Sequence, residues 1–337
     1  MHRIALIGFG LAGRVFHAPL IAATPGLDLA AVVTSRADEV AASYPSTQVL
    51  STLEPVLADR SIELVVLATP DHLHAPQALA ALDAGKHVVI DKPLAPTLAE
   101  AQAIAARAAE RGCMLSVFHN RRWDADFLSL RRLIDEDALG EITAFESRFD
   151  RFRPDPGTRW KDNRSGGVWQ DLGPHLVDQT LALFGRPQAI SADLAVLRPG
   201  GQAIDHATVL LRYPGRRVVL HMSMLLPEHG LRMAVHGRKA SFVKHGLDKQ
   251  EEQSKGGMRP DHTDWGFDPV PGQLTLADGT VRAVAPVRGD YPAYYRAVAA
   301  ALAGEGPMPV SAEEALAVMA VIAAGTISST ERREVPL

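Results

Sequence analysis

A chain of 337 residues is longer than one typical hydrophobic core supports and shorter than three, which points to two domains. Its 47% hydrophobic and 22% charged residues exclude a disordered, collagen-like or coiled-coil chain, and a net charge of -4 excludes wholesale neutralisation of nucleic-acid phosphates. One cysteine, Cys113, rules out an internal disulfide framework and a cysteine-based zinc site, and fits a reducing cytoplasm.

Residues 3–7 form an apolar run that predicts a strand, and the glycine-rich stretch Gly8 to Gly13 follows directly. A helix runs from there to about Ala23 and stops at Pro25-Gly26. Residues 27–34, 62–69, 87–91 and 114–119 are further apolar runs, hence buried strands. Helices separate them. One over 76–84 ends at Gly85; another over 98–111 opens on the capping box Thr97-x-x-Glu100 and closes at Gly112. Strands apolar on both faces, each followed by a helix, predict a doubly wound parallel sheet over residues 1–119. Arg3 and its apolar run give residues 1–12 the outline of a signal peptide, but the glycines suit a nucleotide loop better.

Beyond residue 120 the pattern changes. Residues 128–136 predict a helix ending near Gly140, and 142–152, 189–197, 207–213, 217–225 and 231–236 predict strands with some alternation. Residues 244–271 are polar and rich in Gly and Pro, a long loop or insert. Two helices close the chain, one over 291–302 and one from the capping box Ser311-x-x-Glu314. Consecutive strands with helices gathered at the ends predict an α+β domain over residues 120–337, built on a mostly antiparallel sheet. The uncharged run 315–330 is shorter than the roughly 18 apolar residues of a membrane span, so a soluble chain with no membrane partner is expected.

Gly8, Gly10 and Gly13 spell G-x-G-x-x-G between a strand and a helix. In that place the first glycine permits a tight turn, the second lets backbone approach a pyrophosphate, and the third allows close helix–strand packing. The helix start adds free N–H groups for the phosphates, so a dinucleotide is expected. Where an NAD site offers a carboxylate at the end of the second strand, this chain reads Thr34-Ser35-Arg36, with its first acid at Asp38. A hydroxyl and a guanidinium suit a 2′-phosphate. NADP is favoured over NAD.

Asp91-Lys92-Pro93 falls at the carboxyl end of a strand, where open α/β sheets hold ligands. A lysine there can donate to a substrate oxygen and stabilise alkoxide character. Asp171 and His175 stand four apart, and Pro174 suits a first helical turn, so a helix begins near Gly173 with Asp171 just before it. A carboxylate beside an imidazole fixes its tautomer and raises its basicity. The plainer readings are a surface lysine and a buried capping histidine. No ligand triad at metal spacing occurs, so no metal is expected. Asn120, Arg122, Arg153, Trp160 and Tyr294 are candidates to pair with substrate hydroxyls, and Arg121, Arg122 and Arg153 leave an acidic substrate open.

Together these motifs resemble the Gfo/Idh/MocA oxidoreductases, in order and over nearly the whole chain. The resemblance is carried by the glycine motif, Ala68-Thr69-Pro70-Asp71-x-x-His74, Ala84-Gly85-Lys86-His87-Val88 leading into Asp91-Lys92-Pro93, and Gly167, Asp171, His175 and Asp178. The family's usual Glu-Lys-Pro is Asp-Lys-Pro here, and its Thr-Pro-Asn is Thr-Pro-Asp. Residues 8–19, 118–124 and 149–154 resemble a bacterial branch that includes NADP-dependent scyllo-inositol dehydrogenases. The resemblance implies an N-terminal Rossmann domain and a C-terminal domain with a large open sheet, through which homodimers or homotetramers assemble. It implies Lys92, Asp171 and His175 as catalytic residues: His175 takes a hydroxyl proton, Lys92 bonds the same oxygen, and Asp171 orients His175 or holds a neighbouring hydroxyl. Cofactor contacts are expected from Gly8, Phe9, Gly10, Leu11, Ala12, Gly13, Ser35, Arg36, Thr69 and Pro70, and from His72, His74, Asp91, Lys92 and Asn120. The implied activity is hydride transfer between a nicotinamide and a secondary alcohol or ketone of a cyclic polyol or sugar. A nucleotide-binding sensor without turnover, and a lyase or glycosidase that uses the cofactor transiently, are the alternatives.

Overall fold

The computed structural model describes residues 1–157, 166–228 and 230–337. The chain divides into two units. The first comprises Met1–Trp123, Gln250–Gly266 and Asp290–Leu316; the second comprises Asp124–Lys249, Phe267–Gly289 and Ala317–Leu337. Neither is one continuous stretch, whereas the sequence suggested a single break between residues 119 and 120.

From β1 (His2–Ile7) the glycine loop leads into a π-helical turn, Gly13–His17, and α1 (Ala18–Ala22). Next come β2 (Leu27–Val33), α2 (Ala37–Ser43), β3 (Gln48–Leu50) and α3 (Glu54–Ala58). The winding is completed by β4 (Leu64–Leu67), α4 (His74–Asp83), β5 (His87–Asp91), α5 (Leu98–Arg111) and β6 (Leu115–Phe118). All six strands are parallel, in the order β3-β2-β1-β4-β5-β6. Register makes their carboxyl ends level: Ile7 lies opposite Val33 and Leu67, Leu67 opposite Ile90, and Asp91 opposite Phe118. The direction of strand order reverses between β1 and β4, the place where such sheets hold ligands. α5 carries the expected capping box, with the Glu100 N–H donating to Thr97 Oγ1 at 3.2 Å and the Thr97 N–H donating to Glu100 Oε2 at 3.1 Å.

The second unit opens with α6 (Ala125–Asp135), β7 (Ile142–Arg148), α7 (Gly167–Asp171) and α8 (Gly173–Phe184). Strands β8 (Ala189–Ala195), β9 (His206–Tyr213), β10 (Arg216–Ser223), β11 (Leu231–Gly237) and β12 (Ala240–His245) follow. The chain then lends α9 (Gln250–Lys255) to the first unit and returns for β13 (Gly272–Leu276) and β14 (Val281–Val284). After α10 (Pro292–Leu302), again in the first unit, α11 (Ala312–Glu331) and β15 (Val335–Pro336) end it. The nine-stranded sheet runs β14-β13-β12-β11-β7-β10-β9-β8-β15, and only the β7–β10 pair is parallel. Period-two burial fits a sheet covered on one face: β9 buries Ala207, Val209, Leu211 and Tyr213 and leaves the residues between them more open. Phe145, Leu220, Met233 and Phe242 from the sheet pack with Trp169, Leu176, Val318 and Ile322.

Two sequence expectations change here. Residues 244–271 are not one loop: Lys244 and His245 end β12, and α9 is helical. Gln250 anchors this segment to the first unit, its Oε1 accepting from the Trp265 indole at 3.0 Å and the Tyr291 N–H at 2.6 Å. The Ser254 hydroxyl donates to the Val15 carbonyl, so the insert braces the helix that follows the glycine loop. The apolar run near the C-terminus is also longer than it reads. Among the described residues α11, a helix of 20 residues with an 18-residue stretch of mean hydropathy 1.3, is long and apolar enough to cross a membrane. Half of its apolar stretch is buried, and the Trp169 indole donates to the Ile322 carbonyl at 3.0 Å, as in a core helix.

Candidate active site

The loop after β1 is built for close approach. Gly8 has a φ of +96°, and a Cβ there would stand 2.7 Å from the Ala68 carbonyl oxygen. A Cβ on Gly13 would collide with the Gly8 carbonyl, whereas a Cβ on Gly10 would meet nothing within 4 Å. Gly8 and Gly13 therefore fold the loop tightly, and Gly10 leaves open space over the backbone, as a pyrophosphate cradle requires. Phe9 turns inward and packs edge-on against Tyr44, while Leu11 is exposed. The residues fit a dinucleotide.

At the end of β2 the Arg36 N–H donates to Thr34 Oγ1 at 3.0 Å, and the Ser35 and Arg36 side chains are exposed. Arg36 Nη1 lies 3.1 Å from Glu39 Oε1, and Arg14 Nη1 lies 3.5 Å from Glu39 Oε2. Neither Arg14 nor Glu39 was singled out from the sequence. The available signals were an arginine directly after the third glycine and an acid three residues past Arg36.

At the ends of β4 and β5 the structure reassigns His74. It is buried, with Nδ1 2.9 Å from the Pro93 carbonyl oxygen and Nε2 3.0 Å from that of Thr69. Both nitrogens are taken up by backbone, so His74 clamps two loops together instead of meeting the cofactor as expected. Thr69 Oγ1 donates to Gln77 Oε1 at 2.7 Å, and Pro70 and His72 are exposed on the same loop. Asp91 Oδ1 accepts the Lys92 N–H at 2.9 Å, which fixes the main chain of Lys92. His17 Nε2 stands 3.8 Å from that same oxygen, and its Nδ1 is paired with the Tyr295 hydroxyl at 2.6 Å. Burial pushes the Asp91 carboxyl upward, but its interactions with His17, Lys92 and His74 outweigh it and hold the carboxyl below the usual range. His17 had no assigned role in the sequence, although it falls in the Phe16-His17-Ala18-Pro19 segment. Asn120, just past β6, is nearly buried.

Tyr294 is a core residue, contrary to its expected role at the substrate. It is fully buried, donates to Ser116 Oγ at 2.8 Å, and stands edge-on to Phe118 and Trp123. Burial raises its phenol well above the ordinary range. Arg122 is also largely occupied within the first unit, with Nη1 2.8 Å from Glu314 Oε1, and Arg121 reaches Glu251 at 2.7 Å.

In the second unit Asp171 ends α7 and His175 stands in the first turn of α8, with Pro174 in that turn as expected. His175 is 7% exposed. What seats these helices is Trp169. A Cβ on Gly173 would come within 2.7 Å of the indole, and one on Gly325 within 2.5 Å, so two glycines make its slot between α8 and α11. The Arg153 side chain is exposed, and its N–H donates to the Met224 carbonyl at 2.7 Å. Trp160 lies outside the described residues. Among the described residues no group of three or more His, Cys, Asp or Glu side chains is placed to hold a metal ion.

Residues 2–119 match the NAD-binding Rossmann fold of the Gfo/Idh/MocA oxidoreductases, and residues 131–337 match their C-terminal alpha/beta domain. The chain belongs to the Gfo/Idh/MocA family. Among its relatives is the uncharacterized oxidoreductase YdgJ of Escherichia coli (strain K12), 48% identical over 335 residues that cover 98% of this chain and 97% of YdgJ. The scyllo-inositol 2-dehydrogenase (NADP(+)) IolW of Bacillus subtilis (strain 168) is 37% identical over 343 residues, 99% of this chain and 96% of IolW. A solved structure of a candidate oxidoreductase from Yersinia pestis superposes with a TM-score of 0.96 at 45% identity, covering 100% of this chain and 97% of that one. As a Gfo/Idh/MocA oxidoreductase, the chain binds NAD(P) on the first unit.

Proposed function

We propose that this oxidoreductase transfers a hydride between NADP and a secondary alcohol or ketone of a cyclic polyol or sugar, scyllo-inositol among them. The observation that carries the reading is the level carboxyl edge of the parallel sheet. There the glycine loop, Ser35 and Arg36, Thr69, and Lys92 follow β1, β2, β4 and β5 in turn. The activity named for the Bacillus subtilis relative supports the substrate class and the cofactor.

NADP, when bound, supplies the nicotinamide that accepts the hydride. Lys92 donates a hydrogen bond to the carbinol oxygen and stabilises its developing negative charge. His175 takes the hydroxyl proton, and Asp171 orients the imidazole or holds a neighbouring hydroxyl. Asp91 keeps the Lys92 main chain in place. In this reading the enzyme works in the cytoplasm as a homodimer or homotetramer, on a small-molecule substrate.

The test is NADPH absorbance on mixing the protein and NADP with a panel of cyclic polyols and aldoses. Reduction of NADP by a cyclic polyol or sugar supports the reading. Tight NADP binding with no reduction by any of them, and no oxidation of NADPH by the matching ketones, points to a sensor.

A further inference from the structure

We propose that Arg14 and Arg36 form a two-guanidinium clasp for the 2′-phosphate of NADP, and that Glu39 is a resident carboxylate which the phosphate displaces. This rests on the NADP reading above and names the residues that set the preference. Arg14 follows Gly13 in the π-helical turn after β1, and Arg36 directly precedes α2 after β2. The level ends of the two strands, Ile7 opposite Val33, bring these segments side by side at the edge where a bound ribose lies. Glu39 spans the pair with one oxygen to each: Oε1 to Arg36 Nη1 at 3.1 Å, Oε2 to Arg14 Nη1 at 3.5 Å. The guanidiniums thus converge on one anion.

All three side chains are about half exposed, at 53% for Arg14, 50% for Arg36 and 42% for Glu39. Exposed ion pairs of this kind are weak, so the carboxylate is easily displaced. A 2′-phosphate brings about two negative charges and three acceptor oxygens, and arginine forks match that geometry. The carboxylate left in place repels the phosphate, so Glu39 lowers NADP affinity while it keeps the arginines facing each other. NAD, with a hydroxyl at that position, gains little from the clasp.

Dissociation constants for NADP and NAD, measured by titration calorimetry on the wild type, Arg14→Ala and Glu39→Gln, test this without any substrate. Arg14→Ala is expected to weaken NADP about tenfold, Glu39→Gln to tighten it about three- to tenfold, and both to leave NAD within about twofold. Wild type preferring NADP, with neither variant moving that constant, overturns the clasp alone. Weaker NAD binding in Glu39→Gln with NADP unmoved also overturns it, since Glu39 would then be a ribose-hydroxyl ligand. Wild type preferring NAD overturns the NADP reading, and the clasp falls with it if Arg14→Ala leaves the NADP constant unchanged. Melting temperatures of the exposed variants, expected to match the wild type, separate lost binding from lost folding.

Discussion

The Tyr295 hydroxyl and the His17 imidazole, 278 residues apart in the chain, share a hydrogen bond of 2.6 Å inside the first unit. The bond ties α10 to the turn that follows the glycine loop, and His17 in turn approaches the Asp91 carboxylate that holds the Lys92 backbone. His17 and Tyr295 are fully buried, so losing either leaves a polar partner without water. His17→Ala is expected to cost about 2–4 kcal/mol, and Tyr295→Phe about 1 kcal/mol. Urea midpoints measure both, and the double variant should lose less than the sum.

Gly10 and Gly13 answer different demands. A side chain at Gly13 collides with backbone, whereas one at Gly10 enters open space. Gly10→Val should therefore fold and melt like the wild type yet bind NADP at least about tenfold more weakly, because it fills the cradle. Gly13→Val should lose folded protein outright. Circular dichroism and NADPH fluorescence titration separate the two outcomes.

Burial holds the His87 imidazole below its usual range, against the charge of Glu63 and with that of His2; its Nδ1 accepts the Met114 N–H at 3.1 Å. The folded state prefers the neutral ring, while the unfolded ring titrates near pH 6.5. Stability from this site is thus fully present above about pH 6.5 and declines as the pH falls toward the folded pKa. Melting temperature should fall as the pH drops from about 7 to about 5. His87→Gln, which keeps an acceptor for the Met114 N–H, should flatten that decline.

Gly325→Ala tests the Trp169 slot. The added methyl would press on the indole at 2.5 Å, and overpacking of this kind costs about 1–3 kcal/mol. The loss should appear as a lower unfolding midpoint with NADP affinity unchanged.

The parallel sheet and its nucleotide loop were legible because short-range rules decide them: strands apolar on both faces, glycines between strand and helix, and a capping box at Thr97. The return of residues 250–266 to the first unit was not. Their polar, glycine-rich composition hides three anchors, Gln250, Ser254 and Trp265, which act only through tertiary contacts. His74 and Tyr294 stand in the right segments, but residue type does not say which way a ring faces. The last helix read short because charged residues bound the run 315–330, whereas α11 also takes in Ala312–Glu314 and Glu331. In the fold Ser328 and Ser329 accept from the Ala192 and Leu194 N–H groups of β8, each at 3.0 Å, and Thr330 Oγ1 donates to the Thr326 carbonyl at 2.9 Å. Three polar residues thereby stay helical.

In the proposed function, hydride transfer from a carbinol is assisted by Lys92 and His175. The most direct measurement is the rate of NADPH formation from NADP and scyllo-inositol by the wild type, Lys92→Ala and His175→Ala. NADP affinity is measured on the same samples. The wild type should turn over, and each variant should lose about a hundredfold or more while still binding NADP. Turnover intact in both variants would contradict the account.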